Sequence, residues 1–142
     1  MSVNALEKRE FGHTYYYSST LKKYLNNTAS DGFIGKYNLG GISMCGVSIS
    51  TNAEKAENAT ISATGDKVFL LSLTEVGDYL GTNGSSLRKA NYNGSDVAWW
   101  TRTRPTGGAG VGYFWIIPGS GTQDVAQYTT EQYIRPVFWV NY

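Results

Sequence analysis

Two side chains of the kinds that serve as nucleophile or proton shuttle stand apart in this chain: Cys45 in GISMCGVSIS and His13 in FGHTYYY. A thiolate needs a base or positive charge beside it, and no histidine lies near Cys45 in sequence. Its neighbours are small or apolar, so a buried thiol is expected. His13 has no adjacent nucleophile and reads as a surface or hydrogen-bonding histidine. A glycosidase would need two carboxylates facing across a cleft. The acids here fall mostly at helix ends and turns, such as Asp66 ahead of an apolar run and Asp96 ahead of Trp99. Hard cations want several converging oxygens, and NYNGSD, Asn91 to Asp96, is more simply a turn. No catalytic residue, metal site or cofactor is expected, and an enzyme is the least supported reading.

The chemistry in which the chain is rich is non-covalent. Eleven Tyr, four Trp and five Phe accompany 17 Gly and only three Pro. Tyr and Trp bury large area while keeping one polar end, which suits both small cores and binding surfaces. DVAWWTRTRP, Asp96 to Pro105, sets two tryptophans ahead of two spaced arginines. On a strand, alternation turns Trp99, Thr101 and Thr103 one way and Trp100, Arg102 and Arg104 the other. Trp99 is then a core residue, and Arg102 stacks on Trp100 or pairs with a carboxylate. Downstream, TRPTGGAGVGYFWIIPGSGTQDVAQYTTEQY combines Gly-rich stretches with Tyr, Trp, Gln, Ser and Thr. Those residue types make paratopes, where rigid aromatics supply area and small polar groups adapt. The expected ligand platform comprises Tyr92, Asn93, Arg104, Tyr113, Trp115, Gln123, Gln127 and Tyr128. The rings would bury ligand area, Arg104 would give a forked donor, and the amides would orient the ligand.

The elements that must position these residues are legible in part. Ser18 or Ser19 caps a short helix in YSSTLKKYLNN, with Leu21, Tyr24 and Leu25 inward. Gly35 to Asp66 reads as irregular loops with short strands. Lys67 to Leu71 has the length and apolar continuity of a strand. Ser72 and Glu75 then form an S-x-x-E capping box. Val76, Tyr79 and Leu80 make the inward face of the helix, and Gly81 ends it. Val97–Arg104, Val111–Ile117 and Tyr133–Val140 read as strands. Short helices followed by strands give an α+β domain, expected as one unit over 1–142.

Twelve Lys and Arg against 11 Asp and Glu leave a net charge of +1, with no clustered basic surface for nucleic acid. No segment reaches the ~18 apolar residues of a membrane span. MSVNALEKREFGH lacks the apolar core of a secretory signal.

KVFLLSLTEV, AWWTRTRP, a Gly-rich stretch and YIRPVFWV follow one another in the order found in a bacterial family, the domain of unknown function 6273. YYYSSTLKKYLNN is similar to that family's helix, so the resemblance spans roughly Tyr15 to Val140. Family members commonly carry further strand-forming sequence before this helix. The chain therefore reads as a trimmed domain or as the C-terminal part of a longer protein. The family resembles the C-type-lectin-like and formylglycine-generating-enzyme fold group. This implies two helices packed on a twisted antiparallel sheet, with long loops on one side. It also implies that Trp99, Trp100, Arg102, Arg135 and Pro136 are scaffold. The cysteine pair of the formylglycine-generating relatives is not matched, since Cys45 is the sole cysteine, and the lectins' calcium-site strings do not occur. The expected function is a non-catalytic binding or display module on a bacterial surface or phage particle, with a protein or glycan ligand on a cell surface. Lectin-like proteins diversified by retroelements, which rewrite adenine-containing codons, are one form this implies. The alternatives are a calcium-independent carbohydrate-binding module and a structural domain of a surface or tail protein.

Overall fold

A computed structural model of the chain describes residues 4–49, 59–107 and 110–141. Helix α1 (Thr20–Leu25) starts where the sequence places it. The Ser19 side chain accepts the Lys22 N–H, and Leu21, Tyr24 and Leu25 face inward. A single further turn, α2 (Phe33–Lys36), buries Phe33 and Ile34. Helix α3 (Leu73–Leu80) carries both halves of the expected capping box, and Gly81 closes it at φ 85°. A left-handed backbone there favours glycine.

Five short strands form the central sheet: β1 (Lys8–Glu10), β6 (Trp99–Trp100), β7 (Tyr113–Ile117), β8 (Asp124–Gln127) and β9 (Glu131–Tyr133), in the order β1-β9-β6-β7-β8. The β6–β9 contact is parallel and the other three are antiparallel. Two hairpins flank the sheet, β2 (Val47–Ile49) with β3 (Ala59–Ile61) and β4 (Ala90–Tyr92) with β5 (Ser95–Val97). The β4–β5 turn is Asn93-Gly94, both at positive φ (50° and 87°), as a two-residue hairpin turn of this hand requires. The molecule is thus α+β. No described helix is long and apolar enough to cross a membrane.

Alternation across the sheet divides the core into two layers. Trp100, Phe114, Ile116 and Ile134 join Phe11, Tyr16, Leu21 and Leu25 on the side of α1. Trp99 and Ile117 join Leu71, Val76 and Leu80 on the side of α3. The adjacent tryptophans are each fully buried, one per layer.

Three expectations need correction. Lys67–Leu71 is buried from Val68 onward but is not a ladder strand. Its single bridge joins Phe69 to Val137. Side chains take much of the hydrogen bonding that a neighbouring strand would supply. Asn26 Oδ1 accepts from the N–H groups of Lys67 and Val68, and Arg102 Nη1 donates to the Leu70 carbonyl.

Val97–Arg104 is broken too. The Trp115 carbonyl takes the Thr101 N–H, but the Trp115 N–H goes to the Thr103 carbonyl two residues on. A bulge opens there and breaks the ladder. Of the two partners expected for Arg102, a carboxylate is the one found. Arg102 reaches Glu75 and lies 5.8 Å from the Phe69 ring centre, while Trp100 meets the rings of Phe11 and Phe114 edge-on.

Tyr133–Val140 changes partners rather than continuing as one strand. Beyond β9, Val137 bridges to Phe69 and Val140 to Met44, on the far side of Pro136. Pro cannot donate to a ladder, which fits a change of partner at this point.

Candidate functional site

Strands β7 and β8 pair Tyr113 with Gln127, Phe114 with Ala126, Trp115 with Val125 and Ile116 with Asp124. Phe114 and Ile116 go into the core, so Tyr113 and Trp115 point to the opposite face together with Val125 and Gln127. That face is the α3 side, where Ile117 at the end of the same strand is fully buried. Tyr113 and Trp115 are only half-buried, Val125 is 38% exposed and Gln127 is exposed. Gln127 Nε2 donates to the Tyr113 hydroxyl at 3.2 Å and fixes the amide against the ring.

Three of the eight expected residues, Tyr113, Trp115 and Gln127, thus share one face. Gln123 lies exposed just before β8. The other four are elsewhere. Tyr128 packs against the α1-side core, and its N–H is held by the Gly112 carbonyl. Arg104 is 8% exposed, with its guanidinium 5.5 Å from the Tyr15 ring centre. Tyr92 leans on Tyr133 at 4.8 Å between ring centres, and Asn93 forms the β4–β5 turn. Val125 was missed. A signal existed, since it sits two residues before Gln127, but a lone valine does not announce a ligand surface.

The outer edge of β8 is partly closed. Tyr128 bonds inward to Gly112, so Ala126 also bonds inward and the backbone groups of Val125 and Gln127 face out. The Val125 N–H is taken by Asp124 Oδ1 at 2.8 Å, and the Gln127 carbonyl by the Thr130 N–H and hydroxyl. Two of four outward groups are occupied, which disfavours addition of a further strand.

His13 is exposed, and its Nδ1 accepts the Tyr15 N–H at 3.1 Å. Cys45 is half-buried rather than buried, and its Sγ donates to Asn141 Oδ1.

A carboxylate hub was not foreseen. Glu7 accepts hydrogen bonds from Arg9 (2.6 Å), Lys36 (2.6 Å), Tyr37 (2.8 Å) and Tyr24, tying β1 to both α1 and α2. Burial works against ionisation, but these donors, led by Lys36, hold the Glu7 carboxyl at about 2 against an ordinary 4.5. Burial and the bond to Glu7 push the Tyr24 hydroxyl up to about 12. A depressed folded value means that the stabilisation is present above the unfolded value and fades as pH falls from about 4.5 towards 2. The Arg9 and Lys36 side chains are 38% and 48% exposed, so solvent screens the bonds. Glu7→Gln is accordingly expected to cost about 1–2 kcal/mol at neutral pH. The difference from wild type should narrow steadily as pH falls from about 4.5 towards 2 in urea titrations run at several pH values.

Tyr37 also lines an apolar groove of about 530 Å³ between α2 and the closing segment, residues 133–140, with Phe33, Pro136 and Phe138 among its walls. Near that segment Tyr79 and Trp139 meet edge to face at 6.3 Å, 51% and 48% exposed. Tyr79 was expected to face inward.

The family model described as Domain of unknown function (DUF6273) matches residues 2–142. The chain belongs to this family. No curated protein and no solved structure shows a significant match. In this DUF6273 chain three of the motifs read from the sequence build the frame. KVFLLSLTEV supplies the buried run and the capped helix. AWWTRTRP supplies one tryptophan to each core layer and the arginine that reaches Glu75. Within YIRPVFWV, Arg135 is buried with its guanidinium 5.1 Å from the Trp99 ring centre, and Pro136 is half-buried. The half-exposed residues of β7 and β8 lie outside these motifs.

Proposed function

We propose that this chain is a non-catalytic binding and display module, presented on a bacterial surface or phage particle, with the β7–β8 face as its platform. One observation carries the reading. A tyrosine and a tryptophan remain only partly buried on a strand whose other large side chains are buried. Leaving large aromatic area in water is unfavourable for a free domain, and such area suits a ligand surface. The strand is braced by β6 on one side and β8 on the other, so the rings are held before a ligand arrives. The C-type-lectin-like fold, with its loops gathered on one side, belongs to the same proposal. So does diversification of the platform by a retroelement.

Trp115→Ala and Tyr113→Ala are expected to keep cooperative unfolding, each losing about 1 kcal/mol as partly exposed positions, while ligand capture falls. Thermal scans on both variants check the first half, and loss of the folded baseline would make these rings core. Sequencing this gene's 3′ end across the population that carries it tests the display reading. Substitutions gathered at Tyr113, Trp115, Val125 and Gln127 would support a diversified platform. Variation spread evenly through Trp99, Arg102 and Arg135 would not.

A further inference from the structure

Resting on the platform reading above, we propose that the ligand of the β7–β8 face is an uncharged saccharide, bound without a metal ion. The face is built from four neutral side chains: Tyr113 and Trp115 on one strand, Val125 and Gln127 directly opposite. None can neutralise a charge, so a strongly acidic or basic ligand would gain no charge-assisted bond from them. The rings and the valine offer apolar area to the C–H face of a sugar ring.

Along the same ladder, Gln127 Nε2 donates to the Tyr113 hydroxyl at 3.2 Å. Among the described residues this leaves the phenol hydrogen as a donor and the amide oxygen as an acceptor, side by side. A sugar hydroxyl both donates and accepts, so one or two hydroxyls on the rim satisfy that pair. An extended peptide is the main competitor. It would bind by adding a strand at β8, where Asp124 already occupies the Val125 N–H and Thr130 the Gln127 carbonyl. An apolar side chain of a folded partner would leave the phenol–amide pair unsatisfied.

The test uses the full chain on two kinds of probe. These are immobilised neutral polysaccharides (mannan, β-glucan, chitin and galactan) and bacterial cell walls, each with calcium and with chelator. Expected is chelator-insensitive retention on at least one polysaccharide, and on cell walls retention that periodate oxidation of the sugars abolishes and protease treatment spares. Trp115→Ala and Gln127→Ala should each weaken it about tenfold or more, with Trp139→Ala unchanged, a hot-spot-sized effect confined to this face. Protease-sensitive, periodate-resistant retention that still needs Trp115 would overturn the saccharide inference and leave the platform reading standing. Retention indifferent to Trp115 would overturn both. Binding to no neutral polysaccharide and no cell wall would overturn the saccharide inference.

Discussion

Trp99→Ala is expected to lower the unfolding free energy by about 3–5 kcal/mol, the range for deleting a fully buried large aromatic. The ring is wholly enclosed by Leu71, Val76, Leu80 and Ile117. Its Nε1 donates to the Arg88 carbonyl at 2.9 Å, and the Arg135 guanidinium lies 5.1 Å from its ring centre. Alanine would remove the area, open a cavity between sheet and α3, and leave a buried cation without its π face. Trp99→Phe keeps most of the bulk and should cost distinctly less. Equilibrium urea unfolding at neutral pH reads both variants. A loss below about 2 kcal/mol for the alanine would show that the site collapses easily and that Trp99 does not anchor the layer.

Glu75→Ala should be comparably damaging, at about 3–5 kcal/mol, for an electrostatic reason. Glu75 Oε1 accepts from Arg102 Nη1, and the two side chains are 9% and 0% exposed. The same oxygen takes the Ser72 N–H as the second half of the capping box. Removing the carboxylate therefore takes an ion-pair partner from a buried guanidinium and an acceptor from the Ser72 N–H at the helix start. The pair itself need not be a net stabiliser, because both charges were taken out of water to form it. Glu75→Leu combined with Arg102→Met is expected to recover much of the loss. If the double variant were no more stable than Glu75→Ala alone, the cost would lie in packing or capping, and the ion pair would not be its cause.

Local grammar made the best-defined parts of the fold legible. Ser19 and the Ser72–Glu75 box set helix starts through contacts only three residues apart, and Gly81 ends α3 by its backbone freedom. Period-2 alternation was enough to send Trp99 and Trp100 to different layers. The ladder itself stops one step later, because the Trp115 N–H passes over Thr101 to the Thr103 carbonyl, and no residue type in TRTR announces that break. Lys67–Leu71 looked like a strand because burial and strand pairing share one apolar signature. What separates them is hydrogen-bonding partners as distant as Asn26 and Arg102. The Glu7 hub was illegible for the same reason, with partners 17, 29 and 30 residues away. Of the expected platform, the residues on one ladder came together, since alternation relates Tyr113, Trp115 and Gln127. Arg104, Tyr92 and Tyr128 were grouped with them by composition, and composition carries no direction.

The half-exposed aromatics at Tyr79 and Trp139 provide an internal control for the platform. They expose more ring area than Tyr113 and Trp115, on another part of the surface. The most direct measurement is therefore retention of wild type, Trp115→Ala and Trp139→Ala on the same bacterial cell-wall preparation, with all three confirmed folded by their unfolding transitions. The β7–β8 account predicts that Trp115→Ala loses retention while Trp139→Ala matches wild type. Loss in Trp139→Ala with Trp115→Ala unaffected would contradict it and move the binding surface to the closing segment.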